Sequence, residues 1–144
     1  MPEVSTKSKT AVEFPFRYVN LPLLGKVFYP YIPVYLRTIE GWKDFDFIVD
    51  TGADLTTLPR RAEEILGIDL GQCRESRAEG IGGTVIKTWE TRIPIRIKDF
   101  ELEIRCSITE DDKTPFLLGR IDLLDSRFSW CFEAQAKKII FEFI

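Results

Sequence analysis

No histidine occurs anywhere in the 144 residues. That absence removes Ser-His and Cys-His nucleophile pairs, His-Glu zinc hydrolase helices and imidazole general bases. Acid-base chemistry is left to carboxylates, Lys, Tyr and Cys. Cysteine is scarce as well: Cys73, Cys106 and Cys131 stand apart without CxxC spacing, and an odd number cannot all pair within one chain. Free thiols in a reducing compartment are expected. The polar stretch 1–10 carries scattered lysines and lacks the apolar run of a signal peptide, and no segment approaches the apolar length that crosses a bilayer. A basic stripe is also missing. With a net charge of −3 and acids and bases mixed along the chain, nucleic acid is a poor partner. These absences predict a soluble, cytoplasmic protein with neither nucleic acid nor membrane as partner and with no metal or other cofactor.

Apolar residues are plentiful, at 44% of the chain, enough for one core that needs no disulfide or metal. There is no internal repeat and no low-complexity tract. The pattern is mostly extended. Residues 1–10 read as a loose tail and Ala11 to Tyr29, rich in aromatics and leucines around prolines, as an extended arm laid over a core. Residues 1–30 are thus set apart from a domain spanning 31–144. In that domain Tyr31–Thr38, a turn at Glu40-Gly41 and Phe45–Val49 form a first hairpin. Leu55–Leu58 is short and extended. Pro59 then opens a short helix, with Leu58, Ala62, Ile65 and Leu66 on one face and Gly67 as its stop.

Further along, Val85–Thr91 and Ile93–Ile97 read as two strands, and Phe100, Leu102, Ile104, Cys106 and Ile108 alternate through the next. Pro115–Leu118 is a short apolar strand, Ile121–Asp125 a single helical turn, and Phe128–Glu133 with Lys138–Phe143 a closing hairpin around Ala134-Gln135-Ala136. The fold class is all-β with one or two short helices. The cysteines are read as small buried or half-buried hydrophobes, and Trp42, Trp89 and Trp130 as packing residues.

Three motifs carry chemistry. The apolar strand Phe47-Ile48-Val49 stops at Asp50-Thr51-Gly52-Ala53-Asp54, which sets an acid at the mouth of a core, in a tight turn that fixes its direction. Taken alone, Asp-Thr-Gly is also a good turn sequence. Gly80-Ile81-Gly82-Gly83 lies between strands, where it forms a hairpin tip whose bare backbone can approach a ligand; alone it is an ordinary connector. Phe116-Leu117-Leu118-Gly119-Arg120 would by itself be a core strand ending in a turn.

Together and in this order, the three resemble the aspartic proteases of the retroviral, single-lobe type, over about Tyr31 to Phe143. The resemblance implies a closed β-barrel and assigns roles. Asp50 would be catalytic, with Thr51, Gly52, Asp54, Gly119 and Arg120 supporting the active site. Thr51 would share bonds with its counterpart in a second copy. Asp54 and Arg120 would form an ion pair under the floor. Ala53 and Asp54, with the flap tip Gly80, Ile81, Gly82 and Gly83, would touch a polypeptide substrate.

Aspartic proteolysis needs two carboxylates sharing a proton, and the sequence holds one Asp-Thr-Gly. The second acid must come from another copy across a two-fold axis, so the expected active form is a homodimeric aspartic endopeptidase. Two other readings stand beside it. The fold could serve as a catalytically silent dimerisation or peptide-binding module, or a small barrel could bind an apolar ligand with Asp50 as a mere turn residue.

Overall fold

A computed structural model describes residues 11–80 and 82–143. Ile81 and the stretch 1–10, read above as a flap residue and a loose tail, lie outside the described residues. The chain is all-β. Its strands are β1 (Ala11–Pro15), β2 (Arg17–Leu21), β3 (Gly25–Tyr29), β4 (Tyr31–Thr38), β5 (Gly41–Val49), β6 (Thr56–Leu58), β7 (Arg74–Glu79), β8 (Val85–Ile97), β9 (Phe100–Thr109), β10 (Leu117–Leu118), β11 (Phe128–Glu133) and β12 (Lys138–Phe143). A short helix, α1 (Ala62–Leu66), follows β6, and Gly67 ends it by donating to Glu64 O.

Seven strands run in the order β4-β5-β10-β6-β9-β8-β7, and β4 also pairs with β8 through Tyr35–Arg96 and Leu36–Ile95. That pairing closes a six-stranded barrel, from which the β7–β8 hairpin projects. Alternation fills it. Ile32, Val34 and Leu36 of β4 face Ile93, Ile95 and Ile97 of β8 and Leu102, Ile104 and Ile108 of β9, all buried, as a period of two requires of strands with one inward face. The barrel is completed by β10, which runs parallel to β5 and antiparallel to β6.

A second sheet, β1-β12-β11, packs on the barrel through aromatic rings. Phe128 meets Phe141 at 5.4 Å and Phe100 at 5.9 Å edge-on, while Phe100 stacks on Phe143 at 4.7 Å, geometries that suit the ring quadrupoles. The arm expected from Ala11 to Tyr29 takes two forms. Its start, β1, joins β12 and buries Phe14 in the core. Its remainder is the β2–β3 hairpin, held to the barrel by a two-pronged Arg17–Asp46 ion pair and to the second sheet by Phe28 against Phe132 of β11.

Other expectations are corrected in detail. The two strands read at 85–91 and 93–97 are one, because Arg92 stays in register opposite Arg105 of β9. The helical turn expected at 121–125 is a wide turn over Arg120–Leu124 in which Ile121 is extended and Asp122 left-handed, at φ 71°. Asp122 leaves the helical path because its carboxylate takes the Arg105 backbone N–H at 2.9 Å and both arms of the Arg105 guanidinium at 3.0 Å. Among the cysteines, Cys106 is buried and Cys73 half-buried as expected, but Cys131 is exposed, on the outward side of β11. Burial pushes the Cys106 thiol up to about 12. Trp89 and Trp130 pack against the core, and Trp42 lies under the Arg96 guanidinium at 4.2 Å.

Hydrogen bonds from Arg105 hold the Asp122 carboxyl at about 2. A carboxyl lowered on folding contributes stability above its unfolded value of about 4, and that contribution disappears as pH falls through about 2. Asp122→Asn keeps a residue that tolerates the left-handed backbone. It is expected to cost on the order of 1 kcal/mol near neutral pH, after allowance for solvent screening. Urea unfolding of both proteins across a pH series checks this: the gap between them should narrow from pH 4 downward.

Candidate active site

The loop between β5 and β6 carries Asp50 to Leu55, and its shape follows from the strand that enters beside it. Asp50 donates its backbone N–H to Leu118 O at 2.9 Å, which seats it at the end of β5 next to β10. Its neighbour Val49 is buried and donates to Pro30 O at 2.9 Å, so the acid leaves the core from a strand fixed on both edges. Asp50 is half-buried. One carboxylate oxygen accepts the Gly52 N–H at 2.9 Å, and Ala53 N–H returns to Asp50 O at 3.2 Å. This is an Asx-type turn, and it aims the carboxylate away from the barrel interior. Thr51 and Gly52 are exposed at the loop's apex.

Behind the loop, Arg120 N–H donates to Ala53 O at 3.0 Å and Ile121 N–H to Asp54 O at 2.9 Å. The Arg120 guanidinium reaches forward to Thr51 O at 2.7 Å and to an Asp54 carboxylate oxygen at 2.5 Å. The expected Asp54–Arg120 ion pair is therefore present. Its side chains are 77% and 42% exposed, so the pair orients the loop more than it stabilises the fold.

Gly119 has no room for a side chain. A Cβ there would lie 2.5 Å from the Leu55 carbonyl carbon and 2.6 Å from its oxygen. The same closeness lets Gly119 N–H donate to the buried Thr56 hydroxyl at 3.1 Å.

The hairpin β7–β8 holds six register pairs, from Arg74–Glu90 to Glu79–Val85. Its tip turns through Gly80, whose N–H bonds Thr84 O at 2.8 Å, and through Gly82 and Gly83 at φ 91° and 82°, a region that glycine enters without strain. Between hairpin and floor runs a groove of about 480 Å³. Ala53, Asp54 and Thr57 form its floor side and Ser76, Ala78 and Glu79 its hairpin side. Of the residues expected to meet substrate, Ala53 and Asp54 line this groove; Gly80, Gly82 and Gly83 stand at the hairpin's free end, and Asp50 lies one turn from Ala53. Thr88, Glu90 and Ser107 also line it and had not been singled out. Their signal is the polar side of two strands whose apolar side fills the core. Among the described residues no three potential metal ligands cluster.

A family model described as aspartyl protease matches residues 37–120, more than half of the chain, from the end of β4 to Arg120. The chain belongs to that family. Among solved structures, a retropepsin-like aspartic protease from Rickettsia conorii superposes with a TM-score of 0.65 at 21% identity, covering 94% of both chains. EIAV protease complexed with the inhibitor HBY-793 gives a TM-score of 0.48 at 22% identity, over 71% of this chain and 88% of that one. The Rickettsia likeness shows a retropepsin-like fold. No curated protein gives a significant match.

Gly119→Ala should force the backbones of β10 and the loop apart. Overpacking of this kind costs roughly 1–3 kcal/mol, read as a lowered urea midpoint. Since the displaced strand also holds Asp50, any activity should fall further than the lost stability accounts for.

Proposed function

We propose that this member of the aspartyl protease family is an endopeptidase that hydrolyses polypeptides with a pair of Asp50 carboxylates, one from each subunit of a homodimer. The observation that carries the reading is the seat of Asp50: an acid at the end of a strand whose last residues enter the core, fixed through its backbone by Leu118 and through its side chain by Gly52. The loop apex at Thr51 and Gly52 is exposed, where a second copy could bring its own loop. In this reading residues 31–144 form the catalytic unit, with β1 contributing an edge strand. The three free thiols support work in a reducing, cytoplasmic compartment.

In the dimer the two carboxylates share one proton, because like charges in contact resist joint ionisation. The ionised acid takes a proton from water, and the resulting oxygen attacks the peptide carbonyl carbon. The protonated acid hydrogen-bonds the carbonyl oxygen as it gains charge. The tetrahedral species collapses when a proton reaches the leaving amine, and the C–N bond breaks. Thr51, Gly52, Asp54, Gly119 and Arg120 hold the loop in place. Gly80, Gly82 and Gly83 give the hairpin tip freedom to close over an extended peptide, with Ile81 beside them in the sequence.

Asp50→Asn keeps the shape of the side chain and removes the base. Cleavage of an unfolded protein substrate should drop by about a thousandfold or more while the urea midpoint stays near the wild-type value. Retained cleavage in the purified variant would refute the mechanism.

A second expectation concerns assembly. Specific activity should fall on dilution below the concentration at which sedimentation shows the dimer to dissociate, and it should be bell-shaped in pH because one of the two acids must be protonated. A monomer that binds peptides without cutting them would place the chain among silent binding modules.

A further inference from the structure

Across the groove, four strands set their polar side chains in one row. Thr57 of β6 pairs with Ser107 of β9, Ser107 with Glu90 of β8, and Glu90 with Arg74 of β7. Thr88, two residues before Glu90, lies on the same face. Thr88 and Ser107 are only 4% and 9% exposed, and among the described residues neither hydroxyl makes a hydrogen bond within the protein, although both line the groove. Buried polar groups without partners are costly, so such a pair beside a binding cleft is a site waiting for a complement.

Glu90 completes it. Half-buried, it makes no ion pair within 4 Å among the described residues, although Arg74 sits opposite and Arg92 two residues on. Those two arginines line the adjoining cleft, which Glu90 also borders, while the groove itself is lined by one arginine, Arg77, against three acids, Asp54, Glu79 and Glu90. An ionised carboxylate accepts hydrogen bonds and offers none. A substrate side chain that reaches this row must therefore donate.

We infer that the row Thr57, Ser107, Glu90 with Thr88 is a specificity subsite that takes a lysine or arginine side chain of the substrate. The inference rests on the peptidase reading for the position of the groove. An apolar substrate side chain would strand the two hydroxyls and the carboxylate. An acidic one would face Glu90 directly. A cationic donor satisfies all three, in the charge-assisted form that is the stronger one.

The test uses a peptide mixture digested by the wild-type protein and by Glu90→Gln, with cleavage sites read by mass spectrometry. Wild type should show Lys and Arg enriched about tenfold over norleucine-like aliphatics at one position near the cut, with Gln between and Glu excluded; Glu90→Gln should lose most of that enrichment. Cleavage with an aliphatic or acidic preference, or a preference unchanged in Glu90→Gln, would overturn the subsite and leave the peptidase reading intact. A binding arm separates the two claims. Labelled peptides identical except for Lys or norleucine at that position, or at each position in turn if nothing is cut, are titrated into the Asp50→Asn protein. Tighter binding of a Lys peptide, lost on adding Glu90→Gln, upholds the subsite even if the wild type cuts nothing. Equal affinity for every pair overturns it.

Discussion

The backbone of Gly119 lies flat against that of Leu55 and Thr56, and the geometry of the site depends on that contact. It lets β10 pass between β5 and β6, with Leu117 opposite both Ile48 and Thr57. With the strand in that place, Leu118 O meets Asp50 N–H on one side, and Arg120 and Ile121 catch the carbonyls of Ala53 and Asp54 on the other. The loop is then held by main-chain bonds set by strand position, to which the Arg120 guanidinium and the Asp50 carboxylate add side-chain bonds. A methyl group between the two backbones would disturb all of them at once.

Rigidity and freedom are divided between two walls of one groove. The floor is tied at Asp50, Ala53 and Asp54 to the segment that runs from β10 to Ile121. The hairpin opposite is paired with itself; its root is held by β8, the 13-residue strand that begins at the tip and ends in the core, and by the segment before β7, where Leu70 is buried and Cys73 packs on the core. Such a lever can swing at its free end while its root stays packed. Fixing one wall and freeing the other is the arrangement that the proposed peptidase reading calls for.

Much of this could be read from residues alone, for identifiable reasons. Ile93, Ile95 and Ile97 and the run from Phe100 to Ile108 alternate strictly, so the barrel walls were visible in the period of two. Asp50 stood out as an acid in a tight turn at the end of an apolar strand, whereas Gly119 and Arg120 stood out only through the resemblance to the aspartic protease motif. The N-terminal arm was harder. Whether an aromatic-rich segment lies loosely or joins a sheet depends on its partner, here β12 more than a hundred residues later. Asp122 escaped for the same reason, since its left-handed backbone answers to Arg105 on another strand. The row of Thr88, Glu90 and Ser107 is a product of register, set between β8 and β9 by the two-residue turn Lys98-Asp99 but carried on to β6 only by the fold.

The three thiols stand at three depths, and this makes the chain its own probe of breathing. Cys131 lies open on the outer sheet, Cys73 is half-covered after the helix, and Cys106 is sealed inside the barrel. An alkylating reagent acts on the thiolate, so it would consume Cys131 at once and reach Cys106 only when β9 parts from its neighbours. The rate at which the last thiol is labelled then measures how often the barrel opens, in the native protein and without any added dye.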